Sequence, residues 1–176
     1  MYNTFHDLGF KGSIRYIGSQ LRSVEAFRAI RNNIPNFSLL LSVECFSKRH
    51  ELMRAEKASL SMKDIKQLLS LSIEYGFITS YLYILGLEPL SEFKEGLNFL
   101  KDSVNRFPIF QILQNYTVEQ EIYRVHEAKN IRFYLEARKQ IEFCFHNKNL
   151  YPHSWENYRS LFYFSYNNQP HNGIRI

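Results

Sequence analysis

Two stretches of the chain share one design, an apolar run that stops at a polar residue. Leu39-Leu40-Leu41-Ser42-Val43 runs into Glu44, and Tyr83-Ile84-Leu85-Gly86-Leu87 runs into Glu88 and Pro89. A strand covered on both faces loses polar–apolar alternation and becomes continuously apolar, as strands of a parallel sheet do. Such runs, separated by helical segments, therefore constrain the chain to a parallel α/β sheet. Ligand sites in these sheets form beyond the carboxyl ends of the strands, so the polar terminators mark the working edge.

The rest of the chain fits that frame. Ser13 to Ile17 reads as a first strand closed by Gly18-Ser19-Gln20. Ser23 is placed to cap a helix over Val24 to Asn33, with Val24, Phe27, Ile30 and Ile34 at helical spacing. Phe37 to Val43 is the second strand, followed by a helical turn near Arg49–Arg54. Ser61 and Asp64 approximate a capping box for a helix that Gly76 closes. Phe77 to Leu85 is the third strand, and Ser91 is placed to cap a helix from Glu92 to about Asn105. Pro108 to Leu113 is the fourth, ending in Gln114-Asn115-Tyr116. Thr117 with Gln120 makes a second capping box, opening one long helix to about His146.

The order is β-α-β-α-β-α-β-α, with strand-to-strand intervals of roughly 25 to 40 residues, the size of βαβ units. Right-handed crossovers then make the strands parallel. Four strands do not close an eight-stranded barrel, and an isolated four-stranded sheet leaves an edge that ordinarily has a neighbour. The expected fold is α/β, with four parallel βα units forming half of a partial (β/α) TIM-like barrel. Residues 1–12 are a lead-in, 13–146 the half-barrel, and 147–176 an aromatic tail after the long helix. An amino-terminal half or a partner subunit is expected to cover the first sheet edge.

Composition excludes several classes. At 45% hydrophobic and 22% charged the chain is globular rather than disordered. The net charge of +5 is scattered, with no basic run to serve as a nucleic-acid arm. It reads either as a mildly attractive field for small anions or as an ordinary solvated surface. Cys45 and Cys144 make neither a disulfide framework nor a CxxC site, which fits a reducing cytoplasm. Neither a signal-peptide apolar core nor a membrane-length apolar run occurs, so no membrane role is expected. There is no Walker loop, no G-x-G-x-x-G and no G-x-S-x-G.

Candidate site residues come from the four strand ends: Ser19 and Gln20, Glu44, Gly86 and Glu88, then Gln114 and Asn115. Polar groups converging from several strands are what a binding edge needs. Glu44 and Glu88 could form an acid/base pair, or accept hydrogen bonds from ribose hydroxyls or an amino group. Arg49 and Arg54 could clamp a carboxylate, or lie on a surface helix paired with Glu51 and Glu56. Cys45 reads as a core thiol more readily than as a nucleophile, since no histidine is paired with it. The six histidines show neither HxH nor HExxH spacing. The tail aromatics from Tyr158 to Tyr166 could stack on bases or, more simply, pack against the sheet or a partner.

The segment from Leu39 to Leu90 resembles the later half of a radical S-adenosylmethionine enzyme core, closest to the biotin-synthase-like branch. The carrying elements are the strand-end Glu44 in SVECFSKR, the M-R-x-x-K run at Met53–Lys57, a helix ending in E-Y-G, and a strand ending in I-L-G-L-E. Ile84, Gly86 and Glu88 stand as a shortened form of the family's strand-end element beside the adenine, and RYIGSQLRS resembles the preceding strand end. The likeness runs from about residue 13 to residue 145. It implies that Glu44 and Arg49 or Arg54 meet the methionine moiety of S-adenosylmethionine, with Ser19 and Gln20 close by. Leu85, Gly86 and Leu87 would lie along the adenine, and Gln114 and Asn115 would face cofactor or an unidentified small-molecule substrate. The family's C-x-x-x-C-x-x-C motif is absent, and two cysteines cannot supply the three thiolates of its 4Fe–4S cluster. The resemblance thus implies a carboxyl-terminal portion, inactive alone, that needs an amino-terminal half to hold the cluster. The alternatives are a degenerate homologue or a non-enzymatic α/β interaction module.

Overall fold

The computed structural model describes residues 7–114 and 117–148. Four strands form one sheet in the order β1-β2-β3-β4, and every neighbouring pair is parallel. They are β1 (Ile14–Gly18), β2 (Phe37–Glu44), β3 (Ile78–Leu85) and β4 (Ile109–Ile112). Between them lie α1 (Val24–Asn33), two short helices α2 (Arg49–Leu52) and α3 (Glu56–Ser59), α4 (Met62–Glu74) and α5 (Leu90–Leu100). After β4 come two 3₁₀ segments, Val118–Tyr123 and His126–Lys129, and then α6 (Ile131–Phe145). The α/β class and the parallel sheet stand as the sequence indicates.

Local signals set several boundaries. The Ser23 side chain accepts from the Ala26 N–H at the start of α1. The Ser61–Asp64 capping box is complete in both directions, and hydrogen bonds donated by the Ser61 hydroxyl and the Ser61 N–H hold the Asp64 carboxyl below its ordinary range. Gly76 has φ +78°, the left-handed conformation that ends α4 and favours glycine.

Two expectations are corrected. The stretch from Thr117 to His146 is not one helix, and Thr117 makes no capping bond. Tertiary bonds interrupt it. The Val125 N–H donates to the Gly86 carbonyl and the Arg124 Nη2 donates to the Leu113 carbonyl, holding residues 124 and 125 extended over the end of β3. The true cap of α6 is Asn130, whose side chain accepts from the Arg132 N–H. Likewise α5 begins after Pro89 rather than Ser91. It ends at Leu100, where a 3₁₀ turn over Lys101–Ser103 takes over.

Strand register divides the sheet into two faces. One carries Phe37, Leu39, Leu41, Tyr81, Tyr83, Leu85 and Phe110, which pack with Phe27, Ile65, Leu69, Phe93, Leu97, Ile141 and Phe145 of the helices in one core. Sequential parallel strands with crossovers of one hand put α1, α4, α5 and α6 on that side. The high aromatic content is spent here. Phe46 and Tyr83 have ring centroids 4.4 Å apart, Tyr83 and Phe93 5.0 Å, and Phe107 and Phe145 5.7 Å. Burying each such ring contributes roughly 2–3 kcal/mol. The opposite face bears Arg15, Ile17, Ser38, Leu40, Ile78, Ser80, Leu82 and Ile109, in matched register across the four strands.

Candidate functional site at the carboxyl rim of the sheet

The two strand-end glutamates occupy different surroundings. Glu88 is 1% exposed. Its carboxylate accepts from the backbone N–H of Phe46 at 2.9 Å, of Ser47, and of Lys48 at 3.1 Å. It also accepts from Ser47 Oγ at 2.7 Å and from Tyr83 Oη at 2.5 Å. Three successive amides of the loop after β2 thus converge on one side chain from the end of β3. Burial and the Glu88 charge push the Tyr83 hydroxyl well above its ordinary range. Glu88 shapes that loop, and its acceptor capacity is taken up inside the protein.

Glu44 is partly open. Its backbone is left-handed, φ +69°, at the point where the β2–β3 register shifts. For a residue with a Cβ that conformation is uncommon and is a reason to look for function. The carboxylate accepts from Ser42 Oγ at 3.1 Å and forms a close ion pair with Lys57 Nζ. The side chains of Lys57 and Glu44 remain 32% and 21% exposed. Lys57 is carried by α3, which follows a second left-handed residue, Ala55 at φ +51°.

Arg49 anchors this region from below. It is 3% exposed, and its guanidinium donates to the carbonyls of Leu60 at 3.0 Å, Lys57 at 2.8 Å, Cys45 at 3.2 Å, and Val43. Four of its five N–H donors are therefore spent on backbone. Burial lowers its pKa from the ordinary arginine value. Arg54 is exposed on the surface. The cation beside Glu44 is instead Lys57, which sequence reasoning left out of the site although it is the last residue of the M-R-x-x-K run.

At the end of β1, Ser19 is buried and Gln20 is exposed. Gln20 Oε1 accepts from Tyr16 Oη at 2.6 Å. Arg22 donates from Nε to the Ser19 carbonyl at 2.7 Å and from Nη2 to the Glu56 carbonyl at 2.8 Å, which ties this strand end to α3. The structure therefore gathers Ser19, Gln20 and Arg22 with Ser42, Glu44 and Lys57 along the rim.

The β3 end is more closed. Gly86 has φ +107°, and a Cβ there would lie 3.2 Å from Tyr134 Oη and 3.5 Å from the Leu113 Cβ. Leu85 and Leu87 are buried. The strip that the resemblance assigns to an adenine is thus covered by Tyr134, Leu113 and Ala128. Gln114 is exposed at the end of β4, and Asn115 lies outside the described residues.

The cysteines do not make a cluster site. Burial, and next to it the Glu88 charge, push the Cys45 thiol up to about 12. Burial also raises Cys144. Among the described residues no group of three His, Cys, Asp or Glu side chains is arranged to hold a metal ion. These residues do not fit a 4Fe–4S cluster. The rim does offer a carboxylate and an ammonium side by side with a hydroxyl, a set that complements a ligand bearing both charges. No helix among the described residues is long and apolar enough to cross a membrane. Comparison of the chain with protein-family models finds no match, and comparison with curated proteins finds none.

Proposed function

We propose that the chain is the later half of a partial (β/α) barrel of the radical S-adenosylmethionine type. In this reading it contributes the rim contacts to the amino-acid end of S-adenosylmethionine and works with an amino-terminal half that carries the cluster cysteines. The observation that carries the reading is the Glu44–Lys57 pair at the carboxyl rim, held partly open by left-handed backbone at Glu44. Glu44 would receive the ligand's ammonium and Lys57 its carboxylate, in place of the arginine that the resemblance suggested. Sequential parallel strands with their helices on one face are the arrangement a barrel half requires. Among the described residues β1 is an outer strand of the sheet, and the amino-terminal half would add beside it. Two free cysteines suit a reducing cytoplasm.

S-adenosylmethionine, when bound with its cluster, would supply radical chemistry to an unidentified small substrate. This chain's own residues would bind and orient one end of it. Equilibrium dialysis with labelled S-adenosylmethionine tests the reading. The isolated chain should bind at about millimolar or weaker, about −4 kcal/mol. Joint production with an amino-terminal half bearing C-x-x-x-C-x-x-C, sought in the DNA upstream of the Met1 codon, should tighten binding. Glu44→Gln should reverse that gain. Micromolar binding by the chain alone would refute the shared site, and indifference to Glu44→Gln in the pair would refute the rim assignment.

A second reading, a stand-alone interaction module, is favoured by one feature. Ile17 is 58% exposed on β1, which is an outer strand of the sheet among the described residues. Recovery of a stable complex with one partner that lacks cluster cysteines would favour it.

A further inference from the structure

Lys57 stands beside Glu44 although the helix that carries it has little to hold it there. Helix α3 is four residues long and none of its side chains is buried. A helix far below about 12 residues does not hold itself in water. No side chain caps its start, and it follows Ala55, whose φ of +51° is uncommon for a residue with a Cβ. Something other than apolar burial or helix propensity therefore fixes α3 over the rim.

Two guanidinium groups are placed to do so. Arg49 Nη1 donates to the carbonyls of Val43 and Cys45, the residues on either side of Glu44. Its Nη2 donates to the carbonyl of Lys57 itself at 2.8 Å, and its Nε to the Leu60 carbonyl, just past α3, at 3.0 Å. One planar group thus grips both members of the charged pair by their backbone. Arg22 reaches α3 from the end of β1. It joins the Ser19 carbonyl, through Nε at 2.7 Å, to the Glu56 carbonyl, through Nη2 at 2.8 Å, one residue before Lys57. The donors of a guanidinium are fixed in one plane, so bonds made from its two sides set one backbone against another. Arg49 is 3% exposed, so it reaches a ligand only through the pair.

We propose that Arg22 and Arg49 are the positioning residues of the rim site. Together they clamp α3 to the ends of β1 and β2, and so set the Lys57 ammonium beside the Glu44 carboxylate. The proposal goes beyond the ligand reading and holds for any charged molecule the rim takes. It also gives the reason for arginine at both positions, since a lysine ammonium is a point charge without the fork that bridges two backbones.

Zero-length cross-linking with a water-soluble carbodiimide reads the pair directly. The reagent takes up the water lost when a carboxylate and an adjacent amine condense to an amide, and leaves as a urea. Peptide mapping by mass spectrometry then measures the Glu44–Lys57 product. Lys94 and Glu136, 3.9 Å apart between α5 and α6, supply the control product. Both products should form in the native chain. Arg22→Met removes the brace from β1 and should lower the Glu44–Lys57 yield about threefold, the effect of one lost hydrogen bond, with the control unchanged. Arg49→Lys keeps the charge without the fork and should lower the yield about tenfold. If Arg49→Lys loses the control product and its circular dichroism, Arg22→Met decides, because Arg22 is only half-buried. Absence of the Glu44–Lys57 product from the native chain while the control forms overturns the proposal. So does a native yield in either variant that keeps its fold. S-adenosylmethionine is in none of these samples, so failure of the clamp and failure of the ligand reading are separately visible.

Discussion

Glu44 and Glu88 end adjacent strands with the same side chain, and the protein uses them in opposite ways. Glu88 accepts from three backbone amides and two hydroxyls in a buried pocket. Glu44 has one hydroxyl and one lysine and stays partly open to solvent. A carboxylate surrounded by donors holds the fold, because the three amides and the buried Tyr83 hydroxyl would lose their partner without it. A carboxylate with spare acceptor capacity at a strained rim can take a ligand. Counting donors separates the two roles, and residue type alone does not.

The largest effect that tests this contrast is Glu88→Ala. It strands three amides and the buried Tyr83 hydroxyl, each costing on the order of 1–3 kcal/mol before water reaches it, while the exposed Ser47 hydroxyl keeps Glu92 as a partner. We expect a loss of about 3 kcal/mol in urea unfolding. A loss below about 1 kcal/mol would show that the loop after β2 holds itself, and would put Glu88 back among the ligand candidates.

A smaller change removes one donor. Tyr83→Phe should cost about 1 kcal/mol. It also carries a pH signature. The folded state keeps the Tyr83 proton to higher pH than the unfolded chain does, and the same holds for Cys45, pushed up to about 12. Stability is therefore fully present below about pH 8.5 and is lost as pH rises through the ordinary thiol and phenol range of about 8.5–10 and beyond. Thermal unfolding against pH should show that decline. Tyr83→Phe should flatten its upper part and leave the portion due to Cys45.

The smallest effect on stability is expected at the rim. Glu44→Gln breaks a partly exposed ion pair, worth about 0–1 kcal/mol. It should leave urea unfolding nearly unchanged while abolishing the gain in ligand affinity described above. A stability loss comparable to that of Glu88→Ala would erase the distinction between the two glutamates.

What could be read from the chain was local. The bounds of α1, the Ser61–Asp64 box and the Gly76 terminator follow from side chains that bond within a few residues of themselves. Continuous apolar runs announced a covered parallel sheet, since pairing and burial act on every residue of a strand. The rim was legible as a place, because strands end where polar residues begin. The roles on it were not. Arg49 and Lys57 are both cations that follow Glu44 on the same connection to α4. Only the path of α2 and α3 turns one inward onto four carbonyls and leaves the other beside the carboxylate. The break at Arg124–Val125 was equally hidden, because its partners, Leu113 and Gly86, lie on β-strand ends far from any capping signal.

The sequence by itself thus determined the α/β class, the four strands and their carboxyl-end polarity, because hydrophobic period and caps are properties of short segments. Tertiary structure alone decided which glutamate is scaffold and which is open, and where the helix after β4 begins. The physical reason is that a charge's role depends on how many donors reach it. Donors drawn from the loop after β2 onto Glu88, and from the short helix α3 onto Glu44, meet their carboxylates only once the chain has folded.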